Sequence, residues 1–260
     1  MITGKNYIGN TASSSGGNIL KAYNPTDGTI FPEEFLTATS EEVNAAVEKA
    51  DKAFSAYKMT SYDQRATFLE AIADEIMELG DPLLERASGE SGLPKGRFQG
   101  ERGRTCNQLK MFASVLRDGS WLNVNIDTAI PDRAPIPKQD LRKMNIPIGP
   151  VAVFGASNFP LAFSTAGGDT ASALAAGNPV IVKGHEAHLG TNEMVTHAVL
   201  KAAAKTGMPD GVFSMVNGGI PVAQQVVSHP KIKAIGFTGS LGGGRAIFDL
   251  ANQRPEPIPV

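Results

Sequence analysis

Four short apolar runs between residues 151 and 237 constrain the fold more than any other feature of the sequence. Runs of this length without polar alternation are typical of strands that are buried on both faces. Segments with helical spacing separate the runs, and a β-α-β-α order predicts a parallel sheet with right-handed crossovers. The sequence therefore indicates an α/β fold. The runs are VAVF, VIV, VFSMV and AIGF, which begin at Val151, Val180, Val212 and Ala234.

The segments around these runs predict further elements. A last apolar run, PIPV from Pro257, is predicted to start a fifth strand. We expect the helices between the strands to begin near Leu161, Thr191, Pro221 and Ser240.

The chain before this sheet is predicted to be mainly helical. Residues up to about 37 contain turn-forming runs and are expected to be extended, and four helical segments follow them. Thr39 with Glu42, and Ser61 with Gln64, have the spacing of capping boxes at the first two helix starts. The third helix is expected to begin at Asp81–Pro82, and the fourth to run from about residue 94 to 116.

Residues 122–148 differ from both neighbouring regions. Helical spacing disappears there, and four prolines occur between Pro131 and Pro147. We therefore predict a protruding extended arm. Three regions result: residues 1–121, 122–148 and 149–260.

The composition limits the classes of function. A formal net charge of −2 argues against a nucleic-acid-binding surface, which normally needs a basic stripe. No apolar run approaches the roughly 20 residues that cross a bilayer, and the first ten residues lack the pattern of a signal peptide. One cysteine cannot form an internal disulfide. We therefore expect a cytoplasmic protein that binds neither nucleic acid nor membrane.

Polar residues follow three of the predicted strands, and ligands of parallel sheets bind at strand carboxyl ends. GASNFP follows the first strand, and its Asn158 offers an amide donor that could stabilise an oxyanion or simply form a turn. KGHE follows the second strand. Its Lys183 and Glu186 could contact a ribose, and the alternative is a solvated charged loop.

The third segment, FTGSLGGGR, is a glycine-rich turn between a strand and a helix. Its backbone N–H groups and the helix N-terminus suit a pyrophosphate, but the segment is not the GxGxxG fingerprint. A tight connection in which glycine only relieves steric strain is the alternative interpretation.

Together, in this order and spacing, FGASNFP, VKGHE and GFTGS with Gly244 and Arg245 resemble the aldehyde dehydrogenase superfamily. The resemblance covers essentially all 260 residues. It is strongest to the α-ketoglutaric semialdehyde (2,5-dioxopentanoate) dehydrogenase group. That group has Ala-Ser before the Asn, where most relatives have Pro-Trp, and Lys-Gly-His where relatives often have Lys-Pro-Ser. Both departures occur here, at Ala156–Ser157 and at Lys183–His185.

The resemblance implies a Rossmann-like parallel sheet with N-terminal helices and a β arm used in oligomerisation. It implies NAD or NADP as the cofactor, a small aldehyde as the substrate and a homo-oligomer for the full-length protein. It assigns Asn158 as the oxyanion donor, Lys183 and Glu186 to the adenosine ribose, and Gly239 and Ser240 to the pyrophosphate. Gly155 and Ala156 would form the wall beside the cofactor.

The superfamily mechanism uses a cysteine thiolate that attacks the aldehyde, and a glutamate that activates water to hydrolyse the thioester. In the superfamily both residues lie in the part that follows the fifth strand, so we expect the catalytic domain to be absent and these 260 residues alone to be inactive. Glu256 precedes that strand and does not take the glutamate's role. Cys106 is in helical phase with Leu109 and Leu116, and we expect a buried structural thiol.

Several questions stay open from the sequence. Glu186 would repel a 2′-phosphate, whereas Lys183 could pair with one, so the choice between NAD and NADP is not resolved. A stand-alone dinucleotide-binding module, a related acyl-phosphate reductase and a purely structural partner are the alternative functions. The histidines do not have metal-ligand spacing, and no metal site is predicted. We expect His185 to be a loop residue beside the cofactor, and Trp121 to pack where the fourth helix meets the arm.

Overall fold

Four short strands begin the chain in the computed structural model, which describes residues 2–260. Strands β1 and β2 form an antiparallel hairpin, and β3 and β4 form a separate two-stranded sheet. The extended character predicted for residues up to about 37 is therefore confirmed over residues 2–37. The strands are β1 (Asn6–Ile8), β2 (Thr11–Ser13), β3 (Ile19–Tyr23) and β4 (Ile30–Leu36).

Four helices follow, and their starts are fixed by side chains that the sequence identifies. Thr39 and Glu42 bond reciprocally to each other's backbone N–H, and Ser61 and Gln64 do the same, so both predicted capping boxes are confirmed. Gly80, with a φ of +60°, is the first residue of the third helix and changes the chain direction after the second. The helices are α1 (Ser40–Tyr57), α2 (Tyr62–Glu78), α3 (Gly80–Ser91) and α4 (Lys95–Asp118).

The predicted arm is a hairpin outside the main sheet. Its strands, β5 (Asn125–Asp127) and β6 (Leu141–Lys143), pair antiparallel with each other, and all their residues are exposed. Trp121 lies at the base of the arm, edge-on to Tyr62 of α2, and its carbonyl oxygen accepts a hydrogen bond from Asn145. The position predicted for Trp121 is therefore confirmed.

The second half of the chain alternates strands and helices as expected, and β7, β8, β9 and β10 are parallel to one another. Their spatial order is β10-β7-β8-β9. The strands are β7 (Val151–Phe154), β8 (Val180–Lys183), β9 (Phe213–Val216) and β10 (Ala234–Phe237). The helices are α5 (Gly168–Ala175), α6 (Leu189–Lys205), α7 (Ile220–Ser228) and α8 (Leu241–Asn252).

Three details differ from the expectation. The sheet is mixed, because β1 joins it antiparallel beside β9 and brings β2 with it. The helix predicted near Leu161 begins only at Gly168, because the backbone at Gly167 is extended with a ψ of −171°. The PIPV segment, residues 257–260, does not form the predicted strand. Its Pro259 carbonyl oxygen accepts from Ile235 of β10, but two prolines, which lack N–H groups, prevent a regular ladder.

Helices cover both faces of the sheet. Along β7 and β8, alternate residues face a core formed with α2, α4, α5 and α6 and a second core formed with α1, α7 and α8. Cys106 belongs to the first core, is 4% exposed, and lies with its Sγ 3.4 Å from the carbonyl oxygen of Ala73. The predicted burial of this thiol is confirmed. None of the helices within residues 2–260 is both long and apolar enough to cross a membrane.

Candidate functional site

The carboxyl ends of the parallel strands meet at one edge of the sheet, where they border a cleft of about 320 Å³. We call this space the strand-end cleft. It brings together residues that are far apart in the chain, since β10 and β8 flank β7. The six residues predicted to contact a cofactor all line it: Gly155, Ala156, Lys183, Glu186, Gly239 and Ser240.

The turn after β7 forms one wall of the strand-end cleft. A Cβ on Gly155 would lie 2.6 Å from the Cα of Ser164, so only glycine fits this close backbone approach. Ala156 donates from its N–H to Phe163, and its carbonyl oxygen lies 3.0 Å from Nε2 of His188. Burial lowers the pKa of His188, an effect that its hydrogen bond to the Ala156 carbonyl opposes.

The loop after β8 carries the charged groups of the cleft. Lys183 is largely buried, and this burial lowers the pKa of its ammonium group, an effect that nearby Glu186 opposes. The Glu186 side chain is exposed and lies beside Gly219. A Cβ added to Gly219 would lie 3.1 Å from Oε1 of Glu186. His185 also lines the cleft, as predicted for a loop residue. Burial lowers its pKa to about 4, and the charges of His188 and Lys183 add to this effect.

The glycine-rich turn after β10 leads into the N-terminus of α8. Ser240 caps this helix by accepting a hydrogen bond from the N–H of Gly243. Three glycines of this turn lie against the Phe237 ring, and a Cβ added to any of them would lie 2.7–3.2 Å from a ring atom. They are Gly239, Gly243 and Gly244. The backbone N–H groups of the first turn of a helix have no partners within the helix, and those that the Ser240 side chain leaves unbonded can donate to an anion.

Thr238 and Asp169, to which the sequence analysis gave no role, hold this turn. Thr238 donates from its N–H to Phe154 and from its hydroxyl to Asp169, which lies at the start of α5. Arg245, although part of the quoted motif, is not brought into the cleft, because it pairs with Asp249 on the exposed side of α8.

Asn158 lies in an adjoining pocket rather than in the strand-end cleft. This second pocket is shared with Phe159, Phe163 and the turn at residues 238–240, so it opens beside the cofactor-facing residues. The Asn158 side chain is exposed, and its backbone oxygen accepts from Arg97 of α4 at 2.8 Å. Glu101, one helical turn after Arg97, accepts from the N–H groups of residues 161 and 162.

The contribution of α4 was not foreseen. Arg97 and Glu101 are four residues apart and form an ion pair, with 3.6 Å between Arg97 Nε and Glu101 Oε2. Their i,i+4 spacing was the available signal, but nothing in the sequence links this pair to a loop 60 residues further on.

The remaining candidate residues lie outside both pockets. Glu256 forms a surface ion pair with Lys233. Within the described part of the chain, no group of three or more His, Cys, Asp or Glu side chains is arranged to hold a metal ion.

The comparisons with known proteins agree on one family. The model of the aldehyde dehydrogenase family matches residues 11–258. The chain is 56% identical over 261 aligned positions to α-ketoglutaric semialdehyde dehydrogenase 2 of Azospirillum brasilense, and 49% identical over 256 positions to α-ketoglutaric semialdehyde dehydrogenase of Acinetobacter baylyi. These alignments cover 100% and 98% of this chain, but 50% and 48% of the relatives. The chain thus spans about half the length of the curated relatives it matches.

Solved structures show the same fold. An NAD-dependent benzaldehyde dehydrogenase from Corynebacterium glutamicum superposes with a TM-score of 0.85 at 26% identity, over 99% of this chain and 53% of that one. A betaine aldehyde dehydrogenase from Staphylococcus aureus in complex with NAD⁺ also gives 0.85, at 21% identity, over 99% of this chain and 50% of that one. The α/β fold predicted from the sequence is therefore confirmed.

Proposed function

The chain belongs to the aldehyde dehydrogenase family, and from this premise we propose that it supplies the cofactor-binding half of an NAD(P)-dependent enzyme that oxidises α-ketoglutaric semialdehyde to α-ketoglutarate. The observation that carries the proposal is that all six residues with an implied cofactor role line one cleft. The substrate is taken from the names of the two curated relatives. On this proposal residues 1–121 and 149–260 form the cofactor-binding part, and residues 122–148 are an oligomerisation arm.

The chemistry of the strand-end cleft fits a dinucleotide. The α8 N-terminus, capped by Ser240, offers backbone donors for a pyrophosphate. Lys183 and Glu186 offer a cation and a carboxylate for ribose hydroxyls. Ile220, Ala223 and Ile247 give the far side of the cleft an apolar surface that suits a base. A larger side chain in place of Gly219 or Gly239 would fill part of the cleft.

The bound nicotinamide would supply the hydride acceptor. Asn158 would donate its side-chain amide to the aldehyde oxygen, where negative charge develops during attack on the carbonyl carbon. In the overall reaction the aldehyde would lose a hydride to the cofactor and gain a hydroxyl from water, and the remaining proton of the water would be released. The only cysteine in these 260 residues is the buried Cys106. We therefore propose that the chain binds cofactor but does not oxidise aldehydes alone.

The charges at residues 183 and 186 would set the choice of cofactor. The Glu186 carboxylate is exposed at the mouth of the cleft, where it would accept bonds from a ribose diol and repel a 2′-phosphate. Lys183 would attract either form. We expect tighter binding of NAD than of NADP, and Glu186→Gln should raise NADP affinity about tenfold relative to NAD affinity.

The first experiment is a calorimetric titration of the purified 260-residue chain with NAD⁺ and with NADP⁺. We expect saturable binding that Lys183→Ala weakens about tenfold, by loss of a charge-assisted contact. Lys231→Ala is the matched control, because Lys231 is a surface lysine that pairs with Glu48 away from the cleft. No binding of either dinucleotide, with the chain folded by circular dichroism, would contradict the cofactor role.

The second experiment tests the substrate. The chain is joined to the half of the Azospirillum brasilense relative that it does not match, and NAD(P)H formation is followed with α-ketoglutaric semialdehyde. We expect activity from the chimera and none from the chain alone. Dinucleotide binding together with an inactive chimera would favour the stand-alone binding module instead.

A further inference from the structure

Two arginines of α4 lie against the loop that carries Asn158, and the proposed function leaves one of them without a role. We propose that Arg104, together with Arg97, binds the carboxylate of an acidic aldehyde whose carbonyl group lies at Asn158. The inference rests on the proposed function, because it assigns the group that recognises the far end of the substrate. It defines a carboxylate site beside the second pocket and makes Arg104 a determinant of substrate specificity.

An aromatic pair connects the two arginines to Asn158. Phe159 and Phe163 are in edge-to-face contact, with ring centroids 5.2 Å apart, and both line the second pocket with Asn158. The Arg97 guanidinium carbon lies 4.5 Å from the Phe159 centroid, and that of Arg104 lies 4.7 Å from the Phe163 centroid. Each guanidinium is therefore held on a ring that borders the space where the aldehyde would lie.

The positions of the arginines along α4 place them on one helix face. They are seven residues apart, which is close to two turns. Arg97 contacts the Asn158 residue directly, because its Nη2 donates to the Asn158 backbone oxygen at 2.8 Å. A short molecule with an aldehyde at one end and a carboxylate at the other could therefore contact the Asn158 amide and a guanidinium at the same time.

The charged neighbours of the Arg97 and Arg104 guanidinium groups differ. Arg97 has an acidic neighbour in Glu101, which is buried and also holds the N–H groups of residues 161 and 162. Arg104 is exposed, and within residues 2–260 no carboxylate lies within ion-pairing distance of it. Its positive charge is thus uncompensated, whereas Lys110, on the same helix, pairs with Asp74.

A guanidinium is suited to this role because its planar donors match the two oxygens of a carboxylate. Stacking on an aromatic ring also restricts the side chain before the ligand arrives, which lowers the entropy lost on binding. An uncharged aldehyde of the same length would gain nothing from either arginine. The site should therefore discriminate by charge at the far end of the substrate.

The first test uses the full 260-residue chain and α-ketoglutarate as the probe. Nitrogen-15 NMR follows the Arg Nε–Hε signals while α-ketoglutarate, or its uncharged dimethyl ester, is added. We expect saturable shifts of the Arg104 and Arg97 signals with a Kd on the order of 1 mM, and no saturable shift with the ester. Arg104→Ala should abolish saturation at Arg97, and Lys110→Ala should leave it unchanged.

Two results of this titration would overturn the inference. One is an equal response to the acid and to its ester. The other is an Arg97 response that persists in Arg104→Ala and therefore reports on general anion binding. Because Arg104 is exposed and donates no hydrogen bond to the described chain, its removal should not unfold the protein, and circular dichroism checks this.

The second test measures selectivity in the active chimera described above. Arg104→Ala should lower kcat/KM for α-ketoglutaric semialdehyde by about tenfold to a hundredfold, as expected for loss of a hydrogen bond to a charged group. The value for pentanal should change less than about threefold. An equal loss for both aldehydes would overturn the inference and leave the proposed function standing. A chimera that oxidises no aldehyde would contradict the proposed function, and the NMR titration would still decide the inference.

Discussion

At the scale of single residues, the surroundings of Cys106 disfavour the ionisation of its thiol. The side chain is buried in the core between α2 and α4, and burial raises its pKa, so the reactive thiolate is disfavoured. We expect a thiol reagent such as DTNB to react with the folded chain at least about a hundredfold more slowly than with the urea-unfolded chain. Rapid labelling of the folded chain would contradict this.

Replacing Cys106 separates structure from function. Cys106→Ala should lower the free energy of unfolding by about 1 kcal/mol, since a small cavity replaces the sulfur. The affinity for NAD⁺ should not change, because the thiol lies in the core and does not line the strand-end cleft. A loss of dinucleotide affinity without a loss of stability would show that the residue has been assigned wrongly.

His185 should make stability depend on pH. Its pKa is lowered from 6.5 to about 4 by burial and by electrostatic interactions with His188 and Lys183, so the unfolded chain binds more protons than the folded chain between these values. The stabilisation by neutral His185 is therefore complete above pH 6.5 and is lost as the pH falls towards 4. An NMR titration of the imidazole should give a midpoint near 4, and a midpoint near 6.5 would contradict the burial.

A matched variant isolates the contribution of His185, since His188, His197 and His229 also have lowered pKa values. His185→Asn keeps an acceptor for the Ala187 N–H, to which the imidazole is bonded now. Between pH 7 and pH 5, wild type should lose on the order of 1 kcal/mol more stability in urea unfolding than His185→Asn does. Equal losses would remove His185 as a cause.

Single residues also show what the sequence could and could not predict. Asn158, Lys183 and Gly239 became candidates because each lies at or just after the end of a predicted strand, where parallel strands bring their carboxyl ends to one edge. Their roles came only from the resemblance. Asp169 and Glu101 were not identified, because they bind groups on other elements. Asp169 binds a hydroxyl 69 residues away, and Glu101 binds two N–H groups that are 60 and 61 residues away. Such pairings depend on how helices pack on the sheet, which local patterns do not encode.

At the scale of elements, α4 holds the Asn158 loop through Glu101. One carboxylate oxygen accepts from the N–H groups of Leu161 and Ala162, at 2.8 and 3.1 Å, and all three residues are buried. Glu101→Leu would leave two buried donors without partners, at a cost of about 2–5 kcal/mol. Glu101→Gln keeps an acceptor oxygen and should cost less. Urea unfolding measures the stability.

Hydrogen exchange shows whether this cost is local. The amides of residues 161 and 162 should exchange much faster in Glu101→Leu, while those of β8 keep their protection. Glu78→Leu is the matched control, because Glu78 is an exposed carboxylate that pairs only with Lys201 at the surface. Unchanged protection at residues 161 and 162 would mean that α4 does not hold the loop.

Element boundaries were predictable where a side chain determines them. The capping boxes at Thr39 and Ser61 fix two helix starts to the residue. The start of α5 depends instead on the extended backbone at Gly167, which no side chain announces. The pairing of β1 with β9 joins segments about 200 residues apart, and a three-residue strand carries too little periodicity to reveal its partner.

At the scale of the whole molecule, the arm carries eight of the eighteen exposed large apolar side chains among residues 2–260. These eight side chains lie within residues 122–148 and are between 47% and 68% exposed, so the hairpin does not bury them. Exposed apolar side chains in such a number are typical of protein–protein contact surfaces. The arm is therefore expected to bind apolar surface when it meets it, including the arm of a second copy.

This leads to a prediction about association. The purified 260-residue chain should self-associate, so that its mass from light scattering rises above 27.3 kDa as the concentration increases. Replacing Ile136 and Ile146, the most exposed apolar residues of the arm, by Ser should reduce this association. Met77→Ser is the control, since Met77 is 46% exposed on α2 and lies outside the arm. If the chain is a monomer at every concentration, the arm is not a contact surface. If the Ser variants associate like wild type, the contact lies elsewhere, and the exposed residues of α8, Leu241 and Phe248, are the next to replace.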